Sequence, residues 1–299
     1  MLHYLILAHN NFDQLEMLVN KIKTNNSKIH IHIDKKVKDF PRFKDVEYIE
    51  DRQDIRRWWN MILKAELTGI FQIHKHMKEW DHVAILSWVC FPIKKVDYIE
   101  EYISSLKDKS SFDYYQAPEY VKRWITDYWF YDIDFHIPSY VNNLMIKIIS
   151  RFKKIDPNIK LSVINFLLSK IVSFILPKRK YIADNYMIKK WSAWVVLSYK
   201  HIKYLIEFFK TEKWKKVLKC FNNTNIPDET FFQTVLLDLV GENEINNRCL
   251  WFMIWEKWAS CPICLTSDNL DEIRKSDKLF ARKFDIRRDR RVLETLNNI

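Results

Sequence analysis

The first fifty residues alternate between strand and helix patterns, and this limits the fold more than any other feature. Residues 4–8 (YLILA) form a continuous apolar run, and residues 28–34 (KIHIHID) alternate between polar and apolar positions, so both are predicted strands. Between them, apolar residues recur on one helical face: Leu15, Leu18, Val19 and Ile22. A short third strand is predicted at 46–49. Strand–helix–strand units of this kind build an α/β domain.

The same alternation continues along the chain, without a clear domain boundary. Further strands are predicted at 82–87, 112–115 and 195–197, and further helices at 61–77, 96–106 and 201–209. Ligands of α/β sheets bind where the strands end, and His9 and Asp34 follow the first two strands. The glycine-rich fingerprint of dinucleotide-binding folds is absent from the sequence, so other residues must hold any phosphate group.

Residues 226–234 (IPDETFFQT) carry the clearest candidate for chemistry. Pro227 followed by two acids is typical of a helix start, so Glu229 is predicted to project from a helix N-terminus. Phe231 and Phe232 should anchor that helix in the core. A carboxylate held in this way can accept a proton from a hydroxyl group or an amine. Ordinary helix capping explains the same residues and remains the alternative.

Charge and cysteine usage indicate the partners and the compartment. The 299 residues carry a formal net charge of +11, which suits an anionic partner such as a nucleotide diphosphate, a nucleic acid or an anionic lipid. The five cysteines are odd in number, and no signal peptide precedes the first strand. We therefore expect a cytoplasmic protein.

Residues 142–151 and 160–180 combine large apolar side chains with many lysines and arginines. They predict a basic amphipathic helical insert, at about 141–180, within a single domain that spans residues 1–299. We expect the insert to pack on the domain. The alternative is peripheral contact with the anionic inner face of a membrane.

Several stretches, in chain order, resemble one family. They are YLILAHN, HIHIDKK, RRWWN, ILSWVCFPIK, WSAWVVLS, IPDETFFQT and LFARKFD. This pattern is similar to that of the core-2/I-branching β-1,6-N-acetylglucosaminyltransferases and the peptide O-xylosyltransferases. The resemblance implies an α/β fold of the GT-A type, with a mixed nucleotide-sugar-binding sheet flanked by helices. It also implies inverting, metal-independent transfer of an N-acetylglucosamine- or xylose-type sugar from a UDP-sugar.

The resemblance also implies roles for single residues. Glu229 matches the general base, which takes the proton of an acceptor hydroxyl as that oxygen attacks the anomeric carbon. Arg282 and Lys283 match the basic pair that binds the leaving diphosphate in place of a cation. The other matched residues are Asp34 and Lys36 on the uracil side, Trp58 on the nucleotide side and Trp194 on the sugar or acceptor side. We place Asp228 on that last side too, as a competing candidate for the base.

The expected partners are a UDP-sugar donor and a glycan, lipid-linked or protein acceptor, with no cofactor, no metal and no nucleic acid. Each site residue also has an ordinary explanation, since Asp34 can cap a helix and Arg282 and Lys283 can be solvated charges. Asp132 and Asp134 form an Asp-x-Asp pattern outside the matching stretches, and a lone CxxC at 261–264 does not predict zinc. The alternative function is a non-catalytic or nucleic-acid-binding protein, which a basic stripe with interleaved aromatics at 118–180 would suit.

The sequence departs from the family at glycine-like positions. Where relatives carry a small residue, this chain carries Trp59, Trp88, Trp191 and Trp258, and it has only two glycines. Glycine allows positive φ angles and close backbone approach, and tryptophan allows neither without strain. We hypothesise that some of these codons encode glycine in the source organism. The alternative is real divergence that has filled the site and cost activity.

Overall fold

The computed structural model describes residues 1–55, 60–127, 180–222, 224–257, 259 and 261–299. Trp58, Trp59, Trp258 and the Asp-x-Asp pattern at 132–134 lie outside these residues, as does the predicted insert apart from Lys180. In the described part of the chain, no helix is both long and apolar enough to cross a membrane.

The strands, in chain order, are β1 (Leu2–Ala8), β2 (Ser27–Ile33), β3 (Glu47–Tyr48), β4 (His82–Ser87), β5 (Phe91–Pro92), β6 (Ser110–Ser111), β7 (Tyr115–Gln116), β8 (Lys189–Lys190), β9 (Val196–Ser198), β10 (Ile245–Asn246), β11 (Trp251–Phe252) and β12 (Phe280–Ala281). The α-helices are α1 (Phe12–Ile22), α2 (Asn60–His74), α3 (Val96–Ser105), α4 (Glu119–Thr126), α5 (Tyr181–Asn185), α6 (Tyr199–Phe209), α7 (Glu212–Phe221), α8 (Leu237–Val240), α9 (Leu270–Lys275) and α10 (Arg290–Asn297).

A seven-stranded mixed sheet organises the fold, in the order β10-β6-β9-β4-β1-β2-β3. Strand β1 pairs in parallel with both β2 and β4, so that Leu7 lies opposite His32 on one side and Ser87 on the other. Strand β9 runs antiparallel to β4 and β6. The predicted α/β class, with a mixed sheet flanked by helices, is confirmed.

The two faces of the sheet pack against separate apolar clusters, because successive side chains of a strand point to opposite faces. Tyr4 and Ile6 belong to one cluster, and Leu5 belongs to the other. On β2, the isoleucines enter the first cluster, whereas the alternate residues His30 and His32 are buried on the other face. Burial lowers the pKa of His30 to about 3, so this imidazole is neutral at physiological pH.

Two predicted elements differ from the structure. The strand predicted at 112–115 is wrong for most of its length, because residues 112–114 form no strand and only Tyr115 lies in one, β7, which pairs with β8 in a separate two-stranded sheet. Strand β6 of the main sheet ends just before the predicted range. The helix predicted to begin at Pro227 is instead a 3-10 turn, Pro227–Glu229, followed by a π-helix, Phe232–Leu236, and then α8. The Thr230 hydroxyl donates to the Pro227 carbonyl at 3.3 Å, and such back-bonding competes with regular helix. Glu229 therefore ends a tight turn and does not begin a helix.

Two of the four tryptophans at glycine-like positions, Trp88 and Trp191, are described by the structure, and neither needs the backbone conformation that favours glycine. Neither Trp88 nor Trp191 has a positive φ, so a forbidden backbone conformation is not their difficulty. Trp88 is buried in the first apolar cluster, and Trp191 is 46% exposed. Trp80, in contrast, has a φ of 71° and is 64% exposed, and this left-handed conformation favours glycine.

Candidate active site

The ends of β1, β2 and β4 form one side of the site. Asp34 follows β2, and its N–H donates to the Ala8 carbonyl at the end of β1 at 2.9 Å. The Asp34 side chain is buried, and its Oδ1 accepts the Lys36 N–H at 2.9 Å, so it caps a turn and not a helix. The Lys36 ammonium lies 3.8 Å from Asp34 Oδ2. The structure thus brings together the two residues matched to uracil binding, beside His9.

A C-terminal loop closes against these strand ends. Gln14, on the buried face of α1, donates its Nε2 to the carbonyls of Trp88 and Phe284, each at 3.0 Å. Its Oε1 accepts the Ile286 N–H at 2.8 Å, and the Phe284 N–H donates to the Val89 carbonyl at 2.9 Å. These bonds fix the loop that follows β12. Sequence reasoning missed Gln14, although a fully buried amide on an apolar helix face signals such a role.

Arg282, in this loop, is a half-buried cation on an aromatic face. Its guanidinium carbon lies 4.3 Å from the centre of the Trp194 ring, and Trp194 packs on Trp251 at 5.9 Å. Burial lowers the pKa of Arg282, and its Nε has no hydrogen-bond partner among the described residues. A half-buried guanidinium with an unused donor is suited to bind an anion. Lys283 is half-buried, and its ammonium group makes no ion pair within the described ranges.

Glu229, at the end of the 3-10 turn, faces Lys190 on β8. Its Oε2 lies 3.1 Å from the Lys190 ammonium, and about a quarter of its side chain (24%) is exposed. The same ammonium lies 4.3 Å from the centre of the Trp124 ring. The Glu229 carbonyl accepts the Trp191 N–H at 3.2 Å, which joins the 3-10 turn to the segment after β8. A carboxylate that is held on both sides yet reaches solvent can serve as a base.

Asp228 lies beneath Glu229, away from solvent. Only 3% of Asp228 is exposed. Burial raises the pKa of Asp228, the Glu229 charge raises it further, and Arg282 and Lys190 act in the opposite direction. Burial also raises the pKa of Glu66 on α2, and the neighbouring Asp228 adds to this shift. The buried position of Asp228 favours a supporting role over direct contact with an acceptor.

Asp113 is a second ionisable residue that sequence reasoning missed. Burial raises the pKa of Asp113 to about 6, although hydrogen bonds from Trp191 and Ser192 act to lower it. Its Oδ1 has no hydrogen-bond partner in the described part of the chain. These contacts place a carboxyl group against Trp191 and Ser192, which precede Trp194 by three and two positions. No sequence signal distinguished Asp113 from an ordinary loop aspartate.

Residues 87–90 join the two halves of the site. The Trp88 ring packs perpendicular to the His9 ring at 5.6 Å, on the side of Asp34. Cys90, three residues after Ser87, is an electrostatic neighbour of Arg282. Residues 87–90 therefore lie between the strand ends beside Asp34 and the residues around Arg282.

No cluster of three or more His, Cys, Asp or Glu able to hold a metal ion is found in the residues that the structure describes. All five cysteines are free. Since Trp58 is not described, its position relative to the site stays a prediction.

The chain belongs to the Core-2/I-Branching enzyme family, whose family model matches residues 2–276. Membership of this family makes the chain a glycosyltransferase, with a sugar donor and an acceptor as its substrates. The match covers Asp34, Glu66, Trp194 and Glu229 but ends before Arg282. No curated protein matches the chain.

Proposed function

We propose that the chain is an inverting glycosyltransferase that moves an N-acetylglucosamine- or xylose-type sugar from a UDP-sugar to an acceptor hydroxyl, without a metal ion. Glu229 is the general base. Arg282 and Lys283 receive the diphosphate, and Asp34 and Lys36 bind the uracil side of the donor. The acceptor is a glycan, a lipid-linked glycan or a protein. Nucleic acid is not a partner in this proposal, and the protein works in the cytoplasm.

One observation carries the proposal: a carboxylate and a guanidinium, each partly exposed, lie close together. Glu229 and Arg282 are electrostatic neighbours, and Glu229 is also paired with Lys190. A one-step displacement needs a base that faces the acceptor and positive charge that faces the leaving group. These three side chains supply both.

The step follows from these positions. Glu229 takes the proton of the acceptor hydroxyl while the acceptor oxygen forms a bond to the anomeric carbon. The bond between that carbon and the diphosphate oxygen breaks, and its electron pair leaves with UDP. Because the attack and the departure occur on opposite faces, the configuration of the anomeric carbon inverts.

The proposed independence from metal ions is supported by the state of Arg282. A guanidinium that is already partly desolvated and has an unused N–H can pair with diphosphate oxygens with less loss of its own water. The Trp194 ring packs against the Arg282 guanidinium in a cation–π contact. We propose that Trp194 lines the sugar or acceptor side and that Trp58 lines the nucleotide side.

Glu229→Gln tests the base directly, because the amide keeps the shape of the side chain but cannot accept the proton. Loss of a general base lowers the rate by about 10²- to 10⁴-fold, which single-turnover kinetics with UDP-N-acetylglucosamine and UDP-xylose would detect. UDP affinity, measured by calorimetry, should change little. The matched control is Glu212→Gln, since the Glu212 side chain is 82% exposed and, among the described residues, forms an ion pair only with Lys215 one turn away.

Asp228→Asn should reduce the rate less than Glu229→Gln does. Near-normal turnover in a folded Glu229→Gln protein would remove Glu229 as the base. If Asp228→Asn caused the larger loss, Asp228 would replace it. Thermal-shift measurements with UDP and with oligonucleotides test the partner class, and stabilisation by oligonucleotides alone would contradict the proposal.

A further inference from the structure

Two carboxyl groups are buried together behind the proposed base. Glu66 on α2 is 2% exposed, and Asp228 in the 3-10 turn is 3% exposed. Helix α2 packs against this turn. One oxygen of each group, Oε2 of Glu66 and Oδ1 of Asp228, has no hydrogen-bond donor among the residues described. A buried polar atom without a partner is uncommon in folded proteins and needs an explanation.

Glu66 has no route to solvent, because its helix is pressed against the sheet. A Cβ atom at Gly69, one turn along α2, would lie 2.6 Å from Leu5 Cδ1 on β1. Residues three apart share a helix face, so Glu66 lies on the face that approaches the sheet. The helix cannot move outward without losing this contact, and the carboxyl group must therefore be satisfied by its neighbours.

The neighbours decide where a proton resides. Two carboxylates that are close together in a dry interior cannot both be ionised, so such a pair retains a proton. Arg282 and Lys190 favour the ionised form of Asp228, whereas Asp228 is the one charged group that acts on Glu66 within the described structure. The proton therefore stays on Glu66.

In the described structure, the other elements packed against α2 bury no charged group. Apart from Tyr4 on β1, whose pKa is raised by burial, the titratable groups that they bury are histidines: His3 on β1, His30 and His32 on β2, and His201 on α6. Burial lowers the pKa of each of these imidazoles, so they are neutral near physiological pH. Burial also lowers the pKa of His74, which lies on α2 itself.

We propose that Glu66 is a positioning residue, whose protonated carboxyl group donates a hydrogen bond to the Asp228 carboxylate and keeps it ionised beneath Glu229. This inference rests on the proposed function where it concerns activity. With one proton on the pair, Asp228 and Glu229 carry two negative charges, and Arg282 and Lys190 carry two positive charges. Loss of the Glu66 proton would add an uncompensated negative charge where the diphosphate must bind.

Two substitutions of similar volume separate this role from simple packing. Glu66→Gln keeps an N–H donor for Asp228 and cannot ionise, so it should retain most of the turnover of the unmodified protein. Glu66→Leu removes the donor and leaves Asp228 unpaired, which should lower kcat by about 10- to 100-fold, the cost of a hydrogen bond to a charged group. Glu212→Gln is again the exposed control.

Infrared difference spectroscopy at neutral pH gives a readout that packing alone would not move. The carbonyl stretch of a protonated carboxyl group should be present in the unmodified protein and absent from Glu66→Gln. The measurement needs no substrate, so its outcome is independent of the proposed function: an active Glu229→Gln protein would refute that function and leave the infrared band in place. Absence of the band, or a loss of turnover in Glu66→Gln as large as in Glu66→Leu, would overturn the inference. Should Glu66→Leu not fold, the band and the turnover of Glu66→Gln still decide it.

Discussion

The carboxyl group of Asp113 should make the stability of the protein depend on pH in a predictable direction. Burial raises the pKa of Asp113 from 3.8 to about 6 in the folded protein. Between these two values the unfolded chain releases its proton while the folded chain keeps it, so stability falls as pH rises. Below about pH 4 both states are protonated, and above the folded pKa both are ionised. The loss is therefore confined to the interval between them.

The size of this loss follows from the shift. The difference between about 6 and 3.8 is about 2.2 units, which corresponds to about 3 kcal/mol for a group fully shielded from water. Asp113 is half-buried, and solvent screening reduces this figure to about 1–2 kcal/mol. Asp113→Asn removes the titration, so the variant should gain this amount relative to the unmodified protein between about pH 4 and about pH 7.

Urea unfolding at these two pH values measures the effect. At the acidic pH, the difference in unfolding free energy between Asp113→Asn and the unmodified protein reports the hydrogen bonds that the amide makes less well. Only the change of that difference with pH reports the titration. Asp39→Asn, at an exposed aspartate, is the control and should show no such change. A difference between Asp113→Asn and the unmodified protein that stays constant with pH, or that shrinks as pH rises, would refute the reasoning.

Four further predictions concern the proposed donor site, the backbone, the predicted basic insert and the tryptophans. In the proposed function Arg282 supplies the positive charge, so turnover of the UDP-sugar should survive excess EDTA, and activity that is lost in EDTA and restored by manganese would contradict this. Trp80→Gly should stabilise the protein by about 0.5–1 kcal/mol in urea unfolding, since a left-handed φ costs about 1–2 kcal/mol and glycine recovers part of it; a less stable variant would show that the Trp80 side chain matters more. If residues 160–180 contact a membrane, the protein should sediment with anionic vesicles and be released by high salt, and no sedimentation at low salt would leave the packed insert as the better interpretation. Peptide mass spectrometry of the natural protein should find glycine at some of the four positions where relatives carry small residues, whereas tryptophan at all of them would end the recoding hypothesis.

Much of the fold is predictable from the sequence because its strongest signals are local. Strand β4 begins and ends at the predicted residues, and β1 and β2 lie within two residues of the predicted bounds. A continuous or alternating apolar run is sufficient to define such strands. The 3-10 turn before Phe231 was not predictable in the same way, because its geometry depends on back-bonding by Thr230 and on where two adjacent phenylalanines must be buried. Helix-start residues alone do not report those contacts.

Parts of the site depend on contacts between distant segments, and these explain what the sequence could not reveal. In the sequence, Gln14 and Glu66 look like ordinary helix residues. Only the fold places Phe284 beside Gln14 and Asp228 beside Glu66, from distant parts of the chain. Their importance lies in burial, and neither has a motif that announces it. Family resemblance suggests the residues that are proposed to face the substrates, whereas burial and unpaired atoms indicate those proposed to support them.

The groups around Arg282 show what such supporting residues contribute energetically. A guanidinium loses favourable hydration when it is buried, and the Trp194 face together with the charges of Asp228 and Glu229 offsets that loss in the folded protein. Much of the desolvation cost is therefore met during folding. In the proposed function, a diphosphate that reaches Arg282 loses mainly its own water, and the negative charge that develops on the leaving oxygen meets a cation already in position. For that reason a buried carboxyl pair beneath the proposed base, which at first resembles a defect of the core, is the expected counterpart of a proposed site that binds an anion with arginine in place of a metal ion.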